Sequence, residues 1–510
     1  MDKRFVITML LLAWLAGCAV NPVTGERDFI LVSGNQEVAM GTQNYAPTLQ
    51  SQGGAYDVDP VLTRYVQSVG AKLAAVSDAP LPYEFTVLNN SVPNAWALPG
   101  GKIAINRGLL TEINSEAELA AVLGHEIVHA AARHTAQQIS RGMLMQGLVI
   151  GTAIATSDSD YGNLAVGGAS VGAQLITQKY GRSAELESDL YGMRYMSKAG
   201  YDPQGAVALQ ETFVRLSEGR NEDWLSGLFA SHPPSRERVE ANKRTATELP
   251  AGGTLGVDSF RLAMQKTLDS KPAYDAYDEG RKALGEKKTD EALALAEKAL
   301  NLFPAEAHFH ALRGDVRLVN KQYDMAVTNY DRALSRRDGF FYYHLQRGLA
   351  KNELGETDDA VADLERSLEL LPTAPAHYTL ARIKANRGDV AGAVGHYKVV
   401  AQGGGDYGKA ATDELVRLEL PSQPGNYVVR RCDAGTNGRL IVSVRNDAPV
   451  AVRDVQVLVD FTDSAGRSQQ LRRNVGGVLQ PGEVASADTG LGPYTGPDCP
   501  VTVVAASVAE

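Results

Sequence analysis

The run His125-Glu126-Ile127-Val128-His129 holds the residues of this chain whose types and spacing could do chemistry. On a helix, a spacing of four puts both imidazoles on one face, about one turn apart, where both can reach a single metal ion. Glu126 follows the first of them and stands beside that ion, placed to take a proton from an attacking water. Zn2+ is the ion that this His-Glu-x-x-His pattern selects. Leu119, Val122, Leu123 and Ala130 give the same helix an apolar face. Two imidazoles and a carboxylate buried there would be costly without a partner that satisfies them. Ser115-Glu116-Ala117-Glu118 reads as the capping box that opens the helix.

A catalytic zinc needs a third protein ligand and one open position. No HxxGxxH extension follows the motif, and His134, five residues on, falls off the ligand face of a continuing helix. A carboxylate from a second helix is the natural third ligand, and Ser183-Ala184-Glu185-Leu186-Glu187-Ser188-Asp189 is the best candidate. Glu185 and Asp189 share a face, while Glu187 points to the other side. That pair suits a ligand, Glu185, plus a carboxylate, Asp189, that orients an imidazole. Further on, Ser231-His232-Pro233-Pro234 is a loop whose backbone is fixed by proline, and Arg238 lies on a helix that starts near Ser235. His232 has two roles open to it as a catalytic residue. A neutral ring could fill the open metal position and silence the resting site, or His232 or Arg238 could donate to the oxyanion formed at a scissile carbonyl. The bland alternative is a surface His-Pro turn and an arginine in a structural ion pair.

The elements that must position these groups belong to a multidomain chain. At 510 residues it is too long for one core. Its 44% hydrophobic and 22% charged content exclude disorder, collagen and coiled coil as descriptions of the whole. A net charge of -10 argues against nucleic acid as a partner. Residues 1–17 read as a lipoprotein signal peptide. Lys3 and Arg4 precede an apolar run from Phe5 to Leu15, too short to span a bilayer, and Leu15-Ala16-Gly17-Cys18 resembles a bacterial lipobox. Cys18 would then carry the lipid anchor, and Ala19 after it suggests the periplasmic side of the outer membrane.

Three blocks follow. Residues 18–255 mix helical and strand patterns and carry the chemistry, as an α+β zincin-like domain. Pro250-Ala251-Gly252-Gly253 reads as a linker that makes the next block separable. Residues 265–418 are an all-α tetratricopeptide solenoid. Gly280, Gly314 and Gly348 recur every 34 residues, as do Ala292, Ala326 and Ala360, and Leu300, Leu334 and Leu368. Such a stack has a groove for peptides or partner proteins. Residues 426–510 read as an all-β, sandwich-like domain with strands at Leu440–Val444 and Val455–Phe461. Cys432 and Cys499 flank it and should pair in an oxidising compartment, with two free thiols or a zinc pair as alternatives.

Taken together, the residues from about 21 to 245 resemble the CAAX prenyl protease/HtpX-like zinc metallopeptidases, in particular their periplasmic BepA-like lipoprotein branch. The likeness rests on Asn21-Pro22-Val23-Thr24-Gly25, on Asn94-Ala95-Trp96-Ala97-Leu98-Pro99-Gly100-Gly101, on HExxH, on Glu185-x-x-x-Asp189, and on His232-Pro233 with Arg238. It implies that Glu185 is the third zinc ligand and Asp189 its partner, and it extends to the repeats but not to the last block. It also implies that Ala95, Trp96 and Ala97 form an edge strand beside the cleft, where an extended substrate pairs by β-augmentation. Two apolar runs, Met143 to Ala155 and Leu164 to Ile176, read as a helical pair that covers the cleft or packs in the core.

The leading expectation is a zinc endopeptidase acting on periplasmic or outer-membrane proteins in outer-membrane quality control. The alternative is a chaperone or assembly factor that works mainly through its repeats, on outer-membrane assembly proteins. A lipoprotein acting on cell-wall peptides is a third possibility.

Overall fold

The computed structural model describes residues 18–146, 175–176, 179–219, 231–462, 466–496 and 498–509. The signal segment and most of the two apolar runs between Met143 and Ile176 lie outside the described residues. The chain divides into two compact units, residues 1–373 and 374–510. No helix among the described residues is long and apolar enough to cross a membrane.

The first unit opens with an antiparallel hairpin of β1 (Cys18–Val20) and β2 (Arg27–Phe29). Helices α1 (Gly34–Ser51) and α2 (Pro60–Ala74) follow. A three-stranded sheet comes next, made of β3 (Glu84–Leu88), β4 (Ala95–Leu98) and β5 (Lys102–Asn106) in the order β3-β5-β4. Strand β3 runs parallel to β5 and β4 runs antiparallel to it, so β4 forms one edge. Helix α3 (Glu116–Ala131) carries HExxH and is buried along its whole length. Ser115 caps it, its Oγ accepting from Glu118 N at 3.1 Å. Helices α4 (His134–Gln146), α5 (Arg182–Lys198), α6 (Gln204–Gly219) and α7 (Arg236–Glu248) complete the shell around it.

Six more helices of this unit form hairpins: α8 (Val257–Gly285) with α9 (Thr289–Leu302), α10 (Ala307–Val319) with α11 (Tyr323–Leu334), and α12 (Phe341–Leu354) with α13 (Thr357–Leu370). The 34-residue period is the period of these tetratricopeptide hairpins. Ala292, Ala326 and Ala360 are wholly buried at their contacts. A Cβ on Gly314 would lie 2.7 Å from the Tyr330 ring, so only glycine permits that approach.

The turn at 250–253 does not separate two independent blocks. Residues 254–256 are stitched to the domain that carries HExxH: Thr254 bridges Tyr201, while Ala117 N and Glu116 N donate to Leu255 O and Gly256 O. The Glu116 carboxylate, in the first turn of α3, accepts from Tyr65, Tyr201 and from Ser259 on α8. One apolar core runs from Val66 and Leu123 through Phe260 and Tyr274 to Phe309 and Leu312. The physical reason is that the first repeat helix has two apolar faces, and the second is buried against α2 and α3.

The second unit comprises α14 (Ala374–Asn386), α15 (Val390–Gln402) and α16 (Gly405–Glu419), then two antiparallel three-stranded sheets. One sheet is β6 (Val428–Ala434), β7 (Leu440–Asn446) and β10 (Val484–Asp488), and the other is β8 (Val452–Thr462), β9 (Ser468–Asn474) and β11 (Val501–Val508). Val442, Val444, Val457 and Val459 alternate inward into a shared core that also takes Val416 and Leu420 of the preceding helix segment. A disulfide joins Cys432 to Cys499 across 67 residues. Closing a loop of that length stabilises a domain by roughly 4 kcal/mol in the chain-entropy account.

His308 joins the repeats to the segment after α1. Its Nε2–H donates to Gly53 O at 3.1 Å and its Nδ1 accepts from Tyr343 OH at 2.6 Å. Burial pulls its pKa down to about 4. The native ring therefore refuses a proton that the unfolded chain accepts near pH 6.5. Stability from this group is complete above that value and is lost as pH falls toward 4. Urea unfolding should accordingly show a loss of roughly 3 kcal/mol between pH 7 and pH 4 from His308. His308→Gln should reduce that dependence by this share, leaving the part contributed by His310 and His377, which burial also lowers to about 4.

Candidate active site

The ligand set is assembled by two helices that nearly touch. A Cβ on Gly124 would lie 3.2 Å from Gly192 O, and one on Gly192 would lie 3.1 Å from His125 N. With hydrogen at both positions, α3 and α5 approach closely enough for Glu185 to reach the two histidines. His125 Nε2 and His129 Nε2 face each other at 3.0 Å. Glu185 lies 3.4 to 3.5 Å from both, and His232 Nδ1 is 3.0 Å from Glu185 Oε1 and 3.3 Å from His125 Nε2. The ligand atoms of His125, His129, Glu185 and His232 all fall within 4.8 Å of one another, and all four residues are buried.

This donor set fits a divalent metal ion. His125 Nδ1 donates to Asp189 Oδ1 at 2.9 Å, which leaves its Nε2 as a bare lone pair. Burial drives the His129 pKa well below its ordinary value, so that ring is neutral as well. Two lone pairs and a carboxylate aimed at one point repel one another unless a cation sits between them. Glu126 is buried beside them, and its Oε2 has no hydrogen-bond partner among the described residues. Burial raises its pKa, against the pull of His232 and His125.

Arg238 is the permanent cation of the site. Its Nε and Nη2 donate to Asp189 Oδ2 and Oδ1 at 2.7 Å each, and Nη1 lies 2.8 Å from Glu185 Oε2. Burial favours the protonated Asp189, but the Arg238 charge outweighs it and the pKa is lowered. Glu185 is lowered further: burial opposes ionisation, and the neighbouring His232 and His125 overcome it. His232 moves up, since the Glu185 and Glu126 carboxylates more than offset its burial. The oxyanion role considered for Arg238 is therefore corrected. Its guanidinium is committed to two carboxylates and positions them.

Ala95, Trp96 and Ala97 lie on β4, the edge strand, and Ala95 lines the cavity beside His125 and Glu126. Trp96 packs edge-on against Tyr45 and shares an apolar cluster with Leu98, Leu175 and Ile176. Its Nε1 has no partner among the described residues. Three contributors escaped the sequence reading. Tyr180 stacks on His129 with centroids 3.9 Å apart and meets Thr135 through its hydroxyl. His134 and Glu187 stand behind His129. No motif marks Tyr180, and the helical phase argued against the other two.

An HExxH helix whose third ligand is a glutamate from a neighbouring helix defines a metallopeptidase. Residues 60–246 match Peptidase family M48, and this part of the chain is a domain of that family. The chain is 27% identical over 262 residues to the beta-barrel assembly-enhancing protease of Escherichia coli, covering 50% of this chain and 52% of that protein. It is 33% identical over 222 residues to the mitochondrial metalloendopeptidase OMA1 of Schizosaccharomyces pombe, covering 43% and 63%. It is 28% identical to the metalloprotease YcaL of Escherichia coli, covering 46% and 95%. The chain thus spans about half the length of the beta-barrel assembly-enhancing proteases it matches. The first TPR of Spaghetti (RPAP3) aligns with 24% of the chain at 25% identity and a TM-score of 0.23. The repeat assignment stands instead on the hairpins and their period.

Arg238→Ala would leave two buried carboxylates without their cation, a change that costs about 3–5 kcal/mol. The metal-free variant should melt well below the metal-free parent in a thermal scan. Arg238→Lys should not restore it, because a lysine cannot bond both carboxylates in the planar fork.

Proposed function

We propose that this chain is a zinc-dependent endopeptidase that hydrolyses periplasmic or outer-membrane proteins in outer-membrane protein quality control. The observation that carries this is the convergence of His125, His129 and Glu185 on one point with the Glu126 carboxylate beside it, its Oε2 free of hydrogen bonds among the described residues. Likeness to beta-barrel assembly-enhancing proteases supports the substrate class. An assembly factor acting mainly through its repeats would have no need of a complete ligand set and a base, so the peptidase reading is preferred.

His125 Nε2, His129 Nε2 and a Glu185 oxygen would hold the zinc. The ion would supply Lewis acidity at the scissile carbonyl and acidify the attacking water. The protein's own part is proton handling and orientation. Glu126, raised by burial, takes the water proton at its carboxylate and returns it to the departing amine. Asp189 keeps the His125 proton on Nδ1, and Arg238 holds Asp189 and Glu185 in place. The edge of β4 offers backbone groups to an extended substrate through Ala95, Trp96 and Ala97. His232 stands among the ligand atoms, which supports the capping role over the oxyanion role: its ring would help to hold the metal in the resting site.

The deciding comparison uses the purified full chain on unfolded outer-membrane proteins. Glu126→Gln should keep its zinc and lose at least ~10²-fold in cleavage rate. Equal cleavage by this variant would refute the peptidase reading. His232→Ala should raise basal cleavage, whereas a fall of ~10²-fold would return it to the oxyanion role.

We further propose that Cys18 is lipidated and holds the protein on the periplasmic face of the outer membrane, with outer-membrane assembly proteins engaging the repeats. Multiple acyl chains on one residue suffice for stable anchoring. Cys18→Ala should move the protein from the membrane fraction to the soluble fraction on cell fractionation.

A further inference from the structure

Glu187 faces away from the ligand set, yet a chain of contacts leads from it back to His129. Arg133, just after α3, takes the left-handed conformation, φ 62°, and reverses the chain. His134 is thereby folded under the ring of His129, with Nδ1 facing Nδ1 at 2.9 Å. His134 Nε2 lies 3.4 Å from Glu187 Oε1. Asn21 Nδ2 donates to that same oxygen at 3.1 Å and to Asp28 Oδ2 at 3.1 Å. Asn21 Oδ1 is taken up by the backbone N–H groups of Val23 and Thr24, so its amide has one orientation. His129, His134 and Asn21 are all at least 97% buried.

The order of protons along this chain follows from its ends. Two facing Nδ1 atoms share one hydrogen. If His129 is to present a lone pair at Nε2, its proton must sit on Nδ1 and His134 Nδ1 must accept it. The proton of His134 is then on Nε2, where it needs an acceptor, and Glu187 Oε1 is there. The opposite order would aim an N–H of His129 into the metal position and leave the carboxylate facing a lone pair. We infer that Glu187, acting through His134, sets the tautomer of the ligand His129, and that Asn21 and Asp28 of the N-terminal hairpin hold Glu187 in register. These are positioning residues, and the inference rests on the reading of His129 as a metal ligand.

The test strips the full-length protein with a chelator and titrates it with zinc against a competing indicator. Loss of a group that orients a ligating imidazole typically costs 10–100-fold in metal affinity. Glu187→Ala should weaken zinc binding by about that factor, and Asn21→Ala in the same direction, with the metal-free melting temperature nearly unchanged. Glu187→Gln should stay within severalfold of the parent, because its amide oxygen still accepts from His134 while its nitrogen turns to the partly exposed side. Parent-like affinity in Glu187→Ala overturns the relay. Equal weakening in Glu187→Gln, or a metal-free melt that falls in step, overturns the tautomer assignment in favour of a packing role. A parent protein that binds no zinc removes the metal reading itself, and the relay with it.

Discussion

The closeness of two helices governs this active site. Glu185 can meet His125 and His129 only because α3 and α5 approach through Gly124 and Gly192, each of which presents hydrogen to the other's backbone. Ridge-to-groove packing with ordinary side chains holds helix axes about 8–10 Å apart. At that distance a glutamate two turns from the crossing point, as Glu185 is from Gly192, would fall short of the imidazoles. The glycine before His125 is thus as much a part of the metal site as the histidine. The surrounding helices and the sheet keep the pair from separating.

That closeness gathers charge in a largely buried place. Glu126, Glu185 and Asp189 are buried together, and Arg238 is the fixed cation against them. Its three-way grip neutralises Asp189 and Glu185, while Glu126, which it does not bond, keeps a proton affinity raised by burial. The division of labour among three chemically similar acids follows from which of them the guanidinium touches. His232 enters the same cluster from a loop, and its raised proton affinity reports the negative field it enters.

The repeats are not a passive appendage to this domain. Helix α8 buries Phe260, Met264 and Tyr274 in the core that also contains Leu119 and Leu123 of the HExxH helix. Ser259 bonds the Glu116 carboxylate at the first turn of that helix. Any partner that shifts the first hairpin therefore pulls on the end of the element that carries the metal ligands. On the far side, Asn21 joins the N-terminal hairpin to the support of His129. The catalytic helix is gripped at both ends by segments that lead elsewhere in the chain.

How much of this could be read in the sequence depends on the range of each interaction. HExxH, the Ser115 cap, the Glu185 and Asp189 pair and the 34-residue period are local patterns, and helical geometry alone turns them into faces and distances. They placed His125, His129, Glu185 and Glu126 as candidates for one site, and they marked the repeat array. The alternation of valines likewise marked the strands of the last block. The commitment of Arg238 to two carboxylates, the stacking of Tyr180 and the shared core across residues 250–256 join parts of the chain with no common period. Only packing decided them. His134 and Glu187 show the boundary most clearly: an unbroken helix would have sent His134 away from the site. The left-handed turn at Arg133, held by Glu37 and Val32 from the far side of the fold, brought it back. A backbone state that costs a non-glycine residue about 1 kcal/mol or more is stabilised by distant partners, and no reading of local sequence contains them.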